Sequence, residues 1–175
     1  MASNPENQVT PHAPSKASTV TLRPVDRSNW EAVAKLKTTD VQSPLVASNL
    51  FSICESHYDE DEIAKAIYVD DLPAGLIIFS VEEHDDWYGV FRFMVDERYQ
   101  GIGVGGKALL LAINFIRETY PKAEFIRLWA VAPEGAKGVP PSDAPFNFYE
   151  KYGFKKVNDE RNDDGELEMR FMLKE

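Results

Sequence analysis

The sequence has 175 residues, of which 43% are hydrophobic, so it is long enough for one domain with a substantial core. Its 29 acidic residues outnumber 19 basic ones and give a formal net charge of -10. Such a charge repels nucleic acid and anionic membranes, and no apolar run approaches the length of a membrane span. These features argue against a nucleic-acid-binding or membrane protein, whereas a basic amine is compatible with them as a ligand.

The first residues of the chain predict a tail rather than part of the fold. Residues 1–18 are rich in Pro, Ser, Asn and Thr and contain no apolar stretch, which is typical of disorder and unlike a signal or transit peptide. Residues 19–175 then form a single domain. The only cysteine, Cys54, excludes an internal disulfide, suits a reducing cytoplasm and is expected to be a small buried residue.

The first half of the chain predicts a strand, two helices and three further strands. The expected segments are a strand at 20–22, a helix capped by Asp26 or Ser28, a helix at 44–56, and strands at 63–69, 74–81 and 90–95. Short polar turns separate the last three strands, so we expect them to form an antiparallel meander.

The second half predicts a crossover helix and a closing hairpin. In residues 107–120, apolar side chains recur at helical spacing, and the strand at 125–131 that follows should therefore lie parallel to the strand at 90–95. A short helix is expected at 145–152, capped by Ser142 or Asp143 and ended by Gly153. Strands at 155–157 and 166–173 complete the prediction.

A glycine-rich turn joins the central strand to the long helix. Residues 100–106 read Gln-Gly-Ile-Gly-Val-Gly-Gly. Glycines let a backbone approach a ligand closely, and the unpaired N–H groups at a helix amino end favour negative charge. The turn therefore predicts a site for a phosphorylated ligand, although a plain strand-to-helix connection would have the same position.

Three motifs overlap on these glycines. Gly101, Gly103 and Gly106 match the dinucleotide pattern G-x-G-x-x-G, but the acidic residue expected about twenty positions later falls in the strand at 125–131. Gly101, Gly106 and Lys107 match part of a P-loop, but an alanine follows where Ser or Thr must hold Mg²⁺. The third pattern is Q-x-x-G-x-G. Because the first two patterns use the same glycines, a nucleotide-binding protein remains a rival interpretation.

The third pattern resembles motif A of the GNAT superfamily of acetyl-CoA-dependent N-acetyltransferases, over Arg-Tyr-Gln-Gly-Ile-Gly-Val-Gly at residues 98–105. A second segment, Phe-Tyr-Glu-Lys-Tyr-Gly-Phe at 148–154, resembles motif B of the same family. The resemblance implies an α/β (α+β) GNAT fold, with a mixed, mostly antiparallel sheet of six to seven strands flanked by about four helices. It also implies acetyl-CoA as co-substrate.

The resemblance further implies which residues contact the cofactor and which carry the chemistry. The implied cofactor contacts are Phe93, Met94, Val95, Gln100, Gly101, Ile102, Gly103, Val104, Gly105 and Gly106. Ser142 stands where many relatives carry an Asn that touches the cofactor, and Asn147 could belong to the same wall. Tyr149 matches the family's general-acid tyrosine, whose phenol is well suited to protonate a departing thiolate.

A carboxylate or imidazole must take a proton from the attacking amine. The candidates are Glu55, His57, Glu82, Glu83 and His84. We favour Glu55, because its segment forms the acceptor wall in GNAT folds. The three histidines and one cysteine show no metal-ligand spacing, so no metal is expected.

The acceptor is predicted from a narrower resemblance. Residues 92–101 are similar to the bacterial diamine and spermidine N-acetyltransferases, which implies a polyamine or diamine acceptor and no nucleic-acid or membrane partner. An amino acid, an aminoglycoside or a protein lysine remains an alternative, as does a CoA-binding regulatory module without turnover. The apolar hairpin at the carboxyl end could support a homodimer.

Overall fold

The computed structural model describes residues 14–134, 140 and 144–174. The described chain forms a seven-stranded sheet with helices on both faces. The strands are β1 (Val20–Pro24), β2 (Glu62–Val69), β3 (Leu72–Glu82), β4 (Trp87–Val95), β5 (Phe125–Ala130), β6 (Lys155–Arg161) and β7 (Leu167–Met172). The α-helices are α1 (Trp30–Ala34), α2 (Asn49–Tyr58), α3 (Val104–Thr119) and α4 (Pro145–Lys151).

The sheet has the strand order β1-β2-β3-β4-β5-β7-β6. The first four strands form the predicted antiparallel meander, and β5, β7 and β6 are also paired antiparallel. Within this described sheet, β4 and β5 form the one parallel pair, because α3 carries the chain back across the sheet between them. The predicted mixed, mostly antiparallel sheet of six to seven strands, flanked by about four helices, is confirmed.

Two apolar clusters hold the helices on opposite faces of the sheet. The helix α3 buries Leu109, Ala112, Ile113 and Ile116 against one face, as their helical spacing predicts. On the other face, Val33 and Leu36 from the α1 region pack against a smaller cluster on β2, β3 and β4. This second layer covers the meander. On the same face of the sheet, β5 and β7 have no covering helix among the described residues.

Several predicted helix starts are wrong by a few residues. The first helix is preceded by Asn29 rather than by Asp26 or Ser28, because the Asn29 side chain bonds to the Asp26 N–H and to the Pro24 carbonyl. The second helix begins at Asn49, where Ser48 accepts a hydrogen bond from the N–H of Phe51. Residues 43–45 form only a short 3₁₀ turn.

The long helix α3 also begins earlier than predicted, at Val104 instead of residue 107, so two glycines lie within its first turn. Cys54 is exposed on α2 and not buried as expected. The positive φ of Gly153, 94°, confirms the predicted left-handed end of α4, whereas the predicted caps Ser142 and Asp143 lie outside the described residues.

The last residues of the predicted tail contact the domain. Residues 14–18 form a turn, and the ammonium of Lys107 donates hydrogen bonds of 2.8 Å to the carbonyl oxygens of Lys16 and Ser18. Because Lys107 lies in the first turn of α3, the chain entering β1 is held against the amino end of that helix.

Candidate active site

The turn between β4 and α3 leaves the amino end of the helix open. Gly101 and Gly103 have φ values of 75° and 89°, which side chains rarely adopt, and a Cβ added at either position would meet no atom within 4 Å. Gly103 precedes the helix and has no side chain to cap its first N–H groups. The first turn of α3 therefore presents backbone donors and its positive dipole end, as an anion site requires.

The two glycines inside α3 have a different role from those in the turn. A Cβ at Gly106 would lie 1.8 Å from the hydroxyl oxygen of Tyr152, so the ring of Tyr152 occupies the space that a side chain would fill. A Cβ at Gly105 would meet Phe148 at 3.5 Å, an ordinary contact. Gly106 thus permits close packing of Tyr152 on α3, which the sequence motif alone does not reveal.

A cleft opens where β4 and β5 separate. Gly89 pairs with Arg127, and no further ladder pair joins the two strands in the described sheet. The cleft beyond that pair has a volume of about 680 Å³. Its lining comes from β4, β5, α4, the glycine turn and the segment between α1 and α2. Because side chains from both sheet faces line it, the cleft can admit one ligand from each side.

Most of the predicted cofactor contacts lie around this cleft. Those that line it are Phe93, Met94, Val95, Gln100, Gly101, Gly103, Gly105, Gly106 and Asn147. Ile102 packs against the core and Val104 is 2% exposed, and neither residue lines the cleft. Ser142 lies outside the described residues.

Tyr149 lies in the wall of the cleft, on α4. It is 8% exposed, and its ring lies 6.5 Å from that of Phe93 on β4. Burial raises the pKa of Tyr149 well above its ordinary value, and the nearby charge of Glu166 adds to the effect. The Tyr149 hydroxyl is therefore protonated at physiological pH.

Glu55 lies beside the cleft and is connected to it through Arg92. The Glu55 carboxylate, on α2, forms an ion pair with the guanidinium of Arg92, which lines the cleft from β4. Glu62, at the start of β2, belongs to the same charged cluster. The pKa of Glu62 is raised to about 7, first by burial and then by the carboxylates of Glu55 and Asp59, while Arg92 acts in the opposite direction.

The other predicted proton acceptors lie elsewhere. His57 lines a separate groove between α1 and α2. Glu82, Glu83 and His84 lie at the connection from β3 to β4, which is the end of β4 opposite the cleft. Among the described residues, no group of three or more His, Cys, Asp and Glu side chains is arranged to hold a metal ion.

Two polar residues tie the segment between α1 and α2 to the glycine turn. The carboxylate of Asp96 accepts a hydrogen bond of 3.0 Å from the Lys37 N–H. Burial alone would raise the pKa of Asp96, but hydrogen bonds from Arg98 and Lys37 outweigh burial and hold the pKa below its usual value. The Gln100 amide donates to Gln42 and to the Val95 carbonyl, both at 2.8 Å, so its side-chain N–H groups face protein atoms.

The residues that line the cleft and that sequence reasoning missed include Phe91, Arg92, Trp129 and Glu166. Phe91 and Trp129 read as ordinary strand residues, and Glu166 as part of a hairpin. The exposed fractions of Phe91, 48%, and of Trp129, 37%, distinguish these two side chains from ordinary strand residues. This exposure depends on strand register and not on any local motif.

In the part of the chain that the structure describes, no helix has the length and apolar character needed to cross a bilayer.

Comparison with solved structures identifies the fold. The PaiA N-acetyltransferase from Thermoplasma acidophilum in complex with coenzyme A superimposes with a TM-score of 0.60 at 17% identity, covering 88% of this chain and 99% of that one. The spermidine/spermine N-acetyltransferase SpeG from Vibrio cholerae gives 0.60 at 17% identity, over 88% and 92%. The ribosomal-protein-S18-alanine N-acetyltransferase from Escherichia coli gives 0.60 at 17% identity, over 89% and 94%.

These identities are low, so the likeness to solved structures shows the fold alone. No curated protein gives a significant match to the sequence. The sequence model of the Acetyltransferase (GNAT) family, however, matches residues 30–154, which span both the glycine turn and α4. That match covers well over half of the chain and agrees with the open helix end and the divided sheet. The chain belongs to the GNAT acetyltransferase family, whose members are N-acetyltransferases that use acetyl-CoA.

Proposed function

We propose that this protein transfers an acetyl group directly from acetyl-CoA to a primary amine, with a polyamine or diamine as the preferred acceptor. The observation that carries the proposal is the cleft between β4 and β5, which joins an open helix amino end on one side to the buried hydroxyl of Tyr149. A cleft lined from both faces of the sheet allows direct transfer, because two ligands can meet inside it.

The open turn fits the diphosphate of acetyl-CoA. The backbone N–H groups that follow Gly103 would hold it, and Phe93, Met94 and Val95 on β4 would lie along the rest of the cofactor. Bound there, acetyl-CoA supplies an acetyl group activated as a thioester. The long apolar side chains at this edge of β4 would also exclude water from the acetyl group.

Two proton transfers accompany the reaction, and each has a candidate residue. The Tyr149 hydroxyl, protonated at physiological pH, can give its proton to a departing thiolate. The amine must lose a proton, and we propose the Glu55 carboxylate, which lies beside the cleft on α2, as the group that receives it, directly or through water. The backbone N–H groups of β4 can polarise the acetyl carbonyl as an oxyanion hole does.

Support for a polyamine comes from the charge of the chain and from the solved structures. A net charge of -10 attracts cations. One neighbour of the same fold is a spermidine/spermine N-acetyltransferase by its printed name. Others act on aminoglycosides or on a ribosomal protein by theirs, so the acceptor rests on this proposal.

One observation favours an amino acid as a second candidate acceptor. The Arg92 guanidinium lines the cleft, and its buried Nε has no hydrogen-bond partner among the described residues. A guanidinium is well suited to bind a carboxylate. An acceptor that carries both an amine and a carboxylate would satisfy this nitrogen, whereas a polyamine would not.

Release of the free CoA thiol, measured with a panel of amines, tests the proposal and separates the two acceptors. Faster release with putrescine or spermidine than with amino acids would support the polyamine. The reverse order would favour the amino acid. Acetyl-CoA binding without release for any amine would contradict transfer and indicate a CoA-binding regulatory module.

Replacement of Tyr149 by Phe tests the proton donor. We expect kcat to fall by about 100-fold to 1,000-fold, since general acid catalysis contributes about 10²–10⁴. The Kd for acetyl-CoA, measured by isothermal titration, should change little because the ring is retained. Tyr58→Phe, at a tyrosine that is 83% exposed on α2, is the matched control. Full turnover by Tyr149→Phe would remove this residue from the mechanism.

A further inference from the structure

Two aromatic side chains, Phe91 and Trp129, line the mouth of the cleft. Gly89 on β4 pairs with Arg127 on β5, and the two strands separate beyond that pair. Phe91 is the extra residue of a β-bulge in β4, and the Arg92 guanidinium lies over both its ring and that of Phe51 on α2. Trp129 lies between Leu128 and Ala130, which pack on the α3 side, so its side chain lies on the opposite face of the sheet.

The pair is exposed although large aromatic rings favour burial. Phe91 is 48% exposed and Trp129 is 37% exposed, and both line the cleft. A single exposed apolar residue needs no explanation. Two exposed rings at the edge of one cleft form a slot that suits a narrow ligand with an alkyl chain or a flat group.

The surroundings of the slot show that one ring already contacts a cation. The guanidinium carbon of Arg92 lies 4.6 Å from the centre of the Phe91 ring, within the range of a cation–π contact. The carboxylate of Glu166 also lines the cleft. The Arg92 guanidinium is itself paired with Glu55, so a second positive charge entering beside Trp129 would meet an open π face and the carboxylate of Glu166.

We propose that Phe91 and Trp129 form the acceptor subsite and bind the alkyl chain and second ammonium group of a diamine, the ammonium by cation–π contact. The inference rests on the proposed function, because it places the acceptor on the sheet face opposite α3 and α4. It goes beyond that function in assigning the preference for a diamine over a monoamine to these two rings.

The test compares three acceptors of similar length: putrescine, butylamine and aminobutanol. The second ammonium of putrescine is replaced by a methyl group in butylamine and by a hydroxyl group in aminobutanol. We measure kcat/KM for each with the wild-type protein and with Trp129→Leu, Trp129→Phe and Phe91→Leu. The leucine variants keep an apolar side chain and remove the π face.

We expect Trp129→Leu to lower the ratio of kcat/KM for putrescine to that for butylamine by about 3-fold to 30-fold, the range that corresponds to a cation–π contact. Phe91→Leu should lower the same ratio, and Trp129→Phe should retain most of it. Aminobutanol should behave as butylamine does. The Kd for acetyl-CoA and the urea midpoint should stay near their wild-type values, which separates loss of the subsite from loss of the fold.

Tyr58→Leu provides the control, since this tyrosine is an exposed aromatic residue on α2 that does not line the cleft. An unchanged ratio in both leucine variants would overturn the inference while leaving amine acetylation intact. An equal loss for putrescine and butylamine would also overturn it, because it would show apolar contact without recognition of charge. Absence of thiol release with every amine in the wild-type protein would overturn the proposed function instead.

Discussion

Glu62 is a partly buried carboxyl group beside the site, and its ionisation affects the stability of the fold. Its Oε2 atom is buried and has no hydrogen-bond partner among the described residues. Ionisation there is opposed first by loss of hydration and then by the carboxylates of Glu55 and Asp59. The folded state therefore binds the proton of Glu62 more tightly than the unfolded chain does.

This difference predicts a pH dependence of stability with a defined sign. In the folded state the pKa of Glu62 is about 7, against an ordinary value of 4.5, so between those values the folded protein holds more protons than the unfolded chain. Stability should therefore fall as pH rises from about 4.5 to about 7 and then level off. Because the side chain is partly exposed, we expect a contribution of about 1 kcal/mol.

Urea unfolding of the wild type and of Glu62→Gln at pH 5 and pH 8 measures this contribution. The free energy of unfolding of the glutamine variant, relative to that of the wild type, should be higher at pH 8 than at pH 5, because glutamine cannot ionise. Glu60→Gln, an exposed acid in the same turn, serves as the control. A constant difference between Glu62→Gln and the wild type at both pH values would contradict a raised pKa at this position.

At the scale of single elements, the glycines at the start of α3 have two separate roles, an open turn and a close packing contact, although they belong to one sequence motif. Gly101 and Gly103 have positive φ and leave the helix end open, whereas Gly106 allows Tyr152 to pack against the helix. All three stand in a single glycine-rich motif. The motif predicts the open turn, but only the structure shows the contact that requires a glycine at position 106.

Alanine substitutions at the two helical glycines should have opposite effects. Alanine favours a helix over glycine by about 1 kcal/mol, so Gly105→Ala should keep or raise stability. In Gly106→Ala the new methyl group would overlap Tyr152, and we expect a loss of about 1–3 kcal/mol, as for overpacked cores. Chemical unfolding of both variants measures the difference.

The double variant Gly106→Ala with Tyr152→Ala tests the cause. Removing the ring removes the overlap, so the two changes together should destabilise the protein less than the sum of their separate effects. Strict additivity would show that the contact between Tyr152 and Gly106 does not limit stability.

The segment between α1 and α2 illustrates how distant elements meet at the site. Asp96 and Gln100 lie at the glycine turn, and their side chains bond to Lys37 and Gln42, which are about sixty residues away in the sequence. The resemblance predicts Gln100 as a cofactor contact, and its side-chain N–H groups also hold this segment in place. The wall of the cleft and the open turn are thereby fixed to one another.

At the scale of the whole molecule, local patterns predict much of the fold and part of the site. Alternating and helical spacing give the antiparallel meander, the crossover helix and the parallel neighbour, and the two family motifs give the glycine turn and Tyr149. Helix starts were harder to predict, because residues such as Asn29 bond across a turn instead of capping the helix that follows.

The acceptor side of the site could not be predicted, because it depends on long-range register. Phe91 and Trp129 are 38 positions apart and line the same cleft only because Gly89 pairs with Arg127 and the strands then separate. Glu166 reaches the cleft through the pairing of β7 with β5. A homodimer formed through the β6–β7 hairpin and a cytoplasmic location stay predictions, and light scattering of the purified protein would test the first.

The central claim is that the cleft between β4 and β5 holds acetyl-CoA, with its diphosphate at the open end of α3. A crystal structure of the protein with coenzyme A tests this most directly. We predict the diphosphate at the N–H groups that follow Gly103, and the thiol in the cleft within reach of the Tyr149 hydroxyl. Coenzyme A bound away from the glycine turn, or a thiol directed out of the cleft, would contradict the account.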